Sequence, residues 1–400
     1  MTGNSGNGKP EGAYRMATRL TNAGRDPFAH HGYVNPPVYR ASTLLYKSAA
    51  DYLAYRGRYQ YARRGTPTSE ALQTALAAIE GPQCAGVALL PSGLTAVSTA
   101  LLSVVNAGAH VLVTDSAYAP TRKFCDAILS RYGVTTTYYD PTIGAGIAAL
   151  MKPETAAVFV ESPGSLSFEI QDVPAIAAAA RARGATVLMD NTWASPVYFP
   201  ALEKGVDLAI QSGTKYIGGH SDVMLGVVAA NEKAWPQLNE TVYEMGLCVG
   251  PDDMFLGLRG LRTLGVRLAH HQAAAMKIAR WLDARPEILR VLHPALESHP
   301  GHAIWRRDFS GASGLFSVVF KPAPTAAVHA FLDRLALFGI GASWGGYESL
   351  AIPFECAPIR SAVPWAPGGP TVRFHIGLED VSDLIADLEG GFAAFAAASR

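Results

Sequence analysis

Val206-Asp207-Leu208-Ala209-Ile210-Gln211-Ser212-Gly213-Thr214-Lys215 reads as a short, mostly apolar strand running into a polar turn that ends in lysine. Ala185-Thr186-Val187-Leu188-Met189-Asp190-Asn191-Thr192 repeats the pattern, with an aspartate where the apolar residues stop. Such runs are typical of strands buried on both faces of a parallel sheet, where ligands collect at the carboxyl ends of the strands. A lysine and a carboxylate delivered there can face one site. Burial beside other cations lowers a lysine from about 10.4 to roughly 7 or 8, which frees the amine to attack an aldehyde. The pair predicts pyridoxal phosphate, with Lys215 in imine linkage and Asp190 holding a proton on the pyridine nitrogen, so that the ring takes up electrons from a deprotonated substrate carbon. The hydroxyls of Ser212 and Thr214 stand ready for the phosphate. Alone, a lysine at a turn is a solvated charge, but the tight, mostly apolar Tyr216-Ile217-Gly218-Gly219 that follows favours the covalent role.

Outward from these two strands the same texture runs from about residue 68 to 230. Apolar runs predict strands at 86–90, 110–114, 135–139, 156–161, 186–190, 208–211 and 224–229. Helical periodicity predicts helices over 69–79, 93–105, 121–131, 145–151 and 174–183. The alternation predicts an α/β fold with a mainly parallel sheet covered on both faces. Beyond Asn231 helical periodicity dominates to about Arg285, and strands at 315–320, 339–342 and 372–376 beside two further helices predict a smaller α+β domain. Residues 1–60 lack a packed pattern and hold Tyr, Arg and Pro in an extended style, as an arm lying on another subunit does. The expected division is a leader and arm at 1–60, a large domain at 61–255 and a C-terminal α+β domain at 256–400.

Composition narrows the function classes. Lys+Arg and Asp+Glu stand at 33 each in 400 residues, so no basic excess favours nucleic acid or an anionic membrane surface. A small-molecule substrate is the default. Residues 81–114 carry no charge, yet Pro91, Ser92, Gly93, Asn106 and Gly108 interrupt them and exclude a membrane span. The polar, glycine-rich start MTGNSGNGKPEG has no apolar core of an export signal, which places the protein in the cytoplasm. Cys84, Cys125, Cys248 and Cys356 are scattered and read as buried free thiols. His270 and His271 point about 100° apart on a helix and no HExxH occurs, so no metal is expected.

Other segments supply further candidates. Pro91-Ser92-Gly93-Leu94 joins a strand to a helix, whose first-turn N–H groups form an anion site; a plain turn explains it equally well in isolation. Tyr118 follows a strand and can stack on a flat cofactor or serve as a core tyrosine. In Tyr61-Ala62-Arg63-Arg64-Gly65 an extended backbone puts Tyr61 and Arg63 on one side, able to share a phosphate, unless the run is simply a solvated face. Arg373 sits inside the apolar run Thr371-Val372-Arg373-Phe374-His375-Ile376, where an unpaired guanidinium is costly. A substrate carboxylate or a protein acid would resolve that cost.

From Thr21-Asn22-Ala23-Gly24-Arg25 to His375-Ile376-Gly377-Leu378-Glu379-Asp380, these motifs resemble the pyridoxal-phosphate enzymes of cysteine and methionine metabolism. The resemblance passes through Tyr61 to Thr66, Glu161-Ser162-Pro163-Gly164, Asp190-Asn191-Thr192-Trp193 and Lys215 through Asp222. It implies a type I aminotransferase-like fold and a homotetramer of two tight dimers, with Tyr61 and Arg63 reaching the phosphate of a neighbour. Gly93, Leu94, Thr192, Ser212 and Thr214 are implied around the cofactor, Tyr118 on its ring, Asp190 at its nitrogen and Arg373 on the substrate α-carboxylate. Ser343-Trp344-Gly345-Gly346-Tyr347 carries aromatic residues typical of β-eliminating members, and Ala119-Pro120 lacks the cysteine of methionine γ-lyases. The implied reaction splits L-cystathionine into homocysteine, pyruvate and ammonia, with Ser343 and Trp344 at the substrate and Tyr243 and Arg64 at its distal end. The alternatives are γ-lyase, γ-synthase or broader C–S lyase chemistry, or a cofactor-binding regulatory protein without turnover.

Overall fold

The structure, a computed structural model, describes residues 14–400; the glycine-rich leader lies outside the described residues. Seven strands, β1 (Gly86–Leu90), β2 (His110–Thr114), β3 (Thr135–Tyr139), β4 (Thr155–Glu161), β5 (Thr186–Asp190), β6 (Leu208–Ser212) and β7 (Gly226–Ala230), form one sheet. Its order is β1-β7-β6-β5-β4-β2-β3. Strands β3, β2, β4, β5 and β6 pair in parallel, and β7 runs against both neighbours. The expected mainly parallel α/β sheet is therefore present.

Apolar residues face both ways along each central strand. In β2, Val111 and Val113 join one apolar cluster and Leu112 the other; in β5, Leu188 opposes Val187 and Met189. That two-sided burial is why these runs lack polar alternation. Buried His110 begins β2 and is satisfied by the hydroxyls of Thr155 and Thr137 at 2.8 and 2.9 Å.

A second, antiparallel sheet comprises β8 (Ile288–Leu292), β9 (Leu315–Phe320), β10 (Leu350–Phe354) and β11 (Thr371–His375), ordered β10-β11-β9-β8. The sequence reading misses β8 and β10. Arg290 breaks the apolar run of β8, and Pro353 lies in β10, which tolerates it as an edge strand. The strand expected at 339–342 is only a bridge between Gly339 and Leu350. The helix expected at 145–151 is the 3-10 turn Gly144–Leu150, and that expected at 121–131 divides into Ala119–Ala127 and the 3-10 turn Leu129–Tyr132. The last strand of the large sheet starts at Gly226, which leaves Met224 exposed.

One helix, Pro251–Asp283, runs through position 255 and packs against Pro67–Glu80 and Met16–Asn22. Thus part of the expected arm is a helix packed on its own chain: Leu20 is buried, and Arg262 donates to the carbonyls of Leu20 and Ala23 at 2.9 and 2.8 Å. Cys125 and Cys356 are buried as expected, whereas Cys84 is half-buried and Cys248 exposed.

Candidate active site

Because β4, β5 and β6 are parallel, their last residues, Glu161, Asp190 and Ser212, arrive at one edge of the sheet. Thr192 ties two of these ends together. Its N–H and hydroxyl donate to Asp190 Oδ1 at 3.0 and 2.5 Å, and its oxygen accepts the Ser212 N–H at 2.8 Å. After Ser212 the chain turns sharply, with the Lys215 N–H on the Ser212 carbonyl at 3.0 Å and the Gly218 N–H on the Gly213 carbonyl at 2.8 Å. Lys215 is thereby delivered into a cavity of about 600 Å³. Gly93, Leu94, Tyr118, Asp190, Thr192, Ser212, Thr214, Ser343, Trp344 and Arg373 line the same cavity.

The electrostatics suit an amine that must lose its proton. Burial, then the charge of Arg373, lowers Lys215 to about 8 against the opposing pull of Asp190. Lys215 Nζ donates to Ser343 Oγ at 2.6 Å and lies 5.6 Å from the centre of the Trp344 ring. Arg373 donates to the Ser343 carbonyl at 2.8 Å, while its buried Nε has no partner. Among the described residues no carboxylate lies within ion-pair distance of Arg373, so the internal salt bridge that its setting also allowed is not formed. Burial lowers it to about 10, well above neutrality, and it remains a cation.

Tyr61, Arg63, Arg64 and Tyr243 are not brought to this cavity. The guanidinium groups of Arg63 and Arg64 lie over the Tyr243 ring at 4.7 and 4.0 Å, and Arg63 donates to the Tyr243 carbonyl at 2.6 Å. Residues Ala62–Arg64 form a 3-10 turn, not the extended run that would put Tyr61 and Arg63 on one side. The residue that sequence reasoning missed is Glu161, which accepts the Tyr118 N–H at 2.7 Å inside the cavity. A signal existed, since Glu161 ends an apolar strand just as Asp190 does.

The family model described as Cys/Met metabolism PLP-dependent enzyme matches residues 17–393. The chain belongs to this family. It is 48% identical to the cystathionine β-lyase of Salmonella typhimurium and 47% identical to cystathionine β-lyase MetC of Escherichia coli, covering 95% of this chain and 98% of each relative. The crystal structure of metB from Corynebacterium glutamicum superposes with a TM-score of 0.88 at 31% identity, covering 96% of this chain and 99% of that one.

The residues present suit the family's cofactor. A Cβ on Gly93 would sit 2.5 Å from Ser212 Oγ, so only glycine lets the start of the helix Gly93–Leu102 approach the Ser212 turn. A helix N-terminus beside hydroxyl residues is an arrangement that suits a phosphate. Among the described residues Asp190 has no ion pair, which suits it to a protonated ring nitrogen.

Proposed function

We propose that this chain is a carbon–sulfur β-lyase that converts L-cystathionine and water to homocysteine, pyruvate and ammonia. The observation that carries the reading is the meeting of Lys215, Asp190 and Arg373 in one cavity beside Ser343 and Trp344. Its similarity to two cystathionine β-lyases over nearly their full length supports that substrate.

Pyridoxal phosphate, when bound, supplies the electron sink that lets the substrate α-carbon lose a proton. Lys215 removes that proton with Nζ and returns it to the departing sulfur. Its lowered pKa makes both transfers accessible near neutral pH. Asp190, oriented by Thr192, keeps a proton on the ring nitrogen, and Tyr118 lies on the ring. Gly93, Leu94, Ser212 and Thr214 hold the phosphate. Arg373 grips the α-carboxylate, and its free Nε adds a second donor for a bidentate contact. γ-Elimination needs a second deprotonation, at the β-carbon. One amine serving both steps of a β-elimination matches a cavity whose other titratable groups are Asp190, Glu161, Tyr118 and Arg373.

We further place Tyr61 and Arg63 at the phosphate of a neighbouring subunit, and Arg64 and Tyr243 at the distal end of its substrate, within a cytoplasmic homotetramer. Their distance from this chain's own cavity supports that arrangement, as do exposed Phe28, Leu45 and Leu53 before them. The experiment supplies cystathionine to the holoenzyme and identifies the keto acid. Pyruvate is expected; 2-oxobutyrate would move the chain to γ-chemistry, and neither product would end the lyase reading.

A further inference from the structure

We propose that Glu161 is a positioning residue that fixes the Tyr118 ring over the cofactor by accepting the Tyr118 backbone N–H. Tyr118 is the N-cap of the helix Ala119–Ala127, and no side chain caps that helix. Its carbonyl is held from within the helix, by the N–H groups of Thr121 and Arg122 at 2.9 and 3.3 Å. Its own N–H lies outside the helical ladder and finds its acceptor on another strand, at 2.7 Å from Glu161 Oε2. With both backbone groups tied, the direction in which the half-exposed ring leaves the chain is set. β4 makes this contact possible because it is the sheet neighbour of β2, the strand that leads into Tyr118.

The protonation state of Glu161 follows from its neighbour. Glu161 and Asp190 are register partners on adjacent parallel strands, whose backbones lie about 4.8 Å apart. Two anions that close are disfavoured. Burial raises both carboxyls, but Asp190 has two donors from Thr192 opposing that rise, whereas Glu161 has one peptide N–H and is pushed further up. Glu161 therefore takes the proton, and burial together with Asp190 holds it well above the usual carboxylate range. As a neutral acid it still accepts from Tyr118 through its carbonyl oxygen. It leaves Asp190 as the anion for the ring nitrogen. This inference rests on pyridoxal phosphate binding in the cavity, and not on which sulfur amino acid is cleaved.

The test measures cofactor affinity by fluorescence titration of the apoenzyme, and visible circular dichroism of the holoenzyme as a report on ring orientation. Glu161→Leu should weaken binding about tenfold and reduce the dichroic band. Glu161→Gln, neutral and still an acceptor, should restore both to within about threefold. Combining Glu161→Leu with Tyr118→Leu should be no worse than Tyr118→Leu alone, since both remove one contact system. Glutamine failing as badly as leucine would overturn the proposal, and so would losses that multiply in the double variant. Should the leucine variant not fold, glutamine decides alone: retained affinity supports the proposal and a tenfold loss rejects it. An enzyme that binds the cofactor yet yields no pyruvate leaves this test readable, whereas no cofactor binding by the parent protein would sink the site assignment itself.

Discussion

The imine proposed for Lys215 requires it to lose its proton near neutral pH while standing close to Asp190, whose charge favours the ammonium. Burial and the Arg373 cation outweigh that pull and bring it from 10.5 to about 8. At pH 7 about one Lys215 in ten is then a free amine. Arg373→Gln removes a neighbouring positive charge, so the ammonium is stabilised and the pKa rises, by less than the full interval to 10.5 because burial, the larger cause, remains. The rate at which apoenzyme takes up pyridoxal phosphate, followed against pH, should show its midpoint move upward and fall several-fold at pH 7. A midpoint that stays put or falls would show that Arg373 does not tune this amine. Arg373 stood out in the sequence because a guanidinium inside an apolar strand needs a partner, and in the structure its Nε has none.

Among the elements, strands of the large sheet were legible because burial on both faces leaves continuous apolar runs in the sequence. Asp190 and Lys215 were legible with them, as polar residues where such runs stop. Residues 339–349 were not, since their shape depends on contacts remote in sequence. Ser343 has φ +89° and Gly345 +87°, and a Cβ on Gly345 would press on the Lys215 backbone at 3.0 Å. The segment is held by the Gly345 N–H on His375 Nε2 at 3.1 Å and the Leu378 N–H on the Tyr347 carbonyl at 2.7 Å. Equally hidden was the link between the helix Pro67–Glu80 and β6. There Gln211, the residue before Ser212, donates to Glu80 Oε1 at 2.7 Å, while buried Oε2 has no partner. Burial lifts Glu80 from 4.5 to about 8. A carboxyl with its folded pKa raised contributes stability that is fully present below about 4.5 and lost as pH rises to about 8. Glu80→Gln keeps an acceptor for Gln211 and removes the titration. Its unfolding free energy should match the parent's near pH 4.5 and exceed it by a few kcal/mol above pH 8; a gap independent of pH would refute the buried neutral acid.

At the scale of the whole molecule, the residues proposed for the cofactor site fall in two places. Lys215, Asp190 and Arg373 share a cavity, while Arg63 and Arg64 are stacked on Tyr243 in a separate groove. The helix Met16–Asn22 packs on its own chain, but beyond it Phe28 is 89% and Leu45 95% exposed, an apolar cost that a second copy would remove. If sites are shared across a two-fold interface, then Lys215→Ala and Arg63→Ala damage different halves of each site. Each variant alone should be nearly inactive. When the two are unfolded together, mixed and refolded, about half the dimers are hybrids, and one of the two sites in each hybrid has both an intact lysine and an intact arginine. Mixing should therefore restore about a quarter of the parent's turnover of cystathionine to pyruvate. If each site were built within one chain, every site in the mixture would keep its own defect and no activity would return, which would withdraw Arg63 from the neighbour's phosphate.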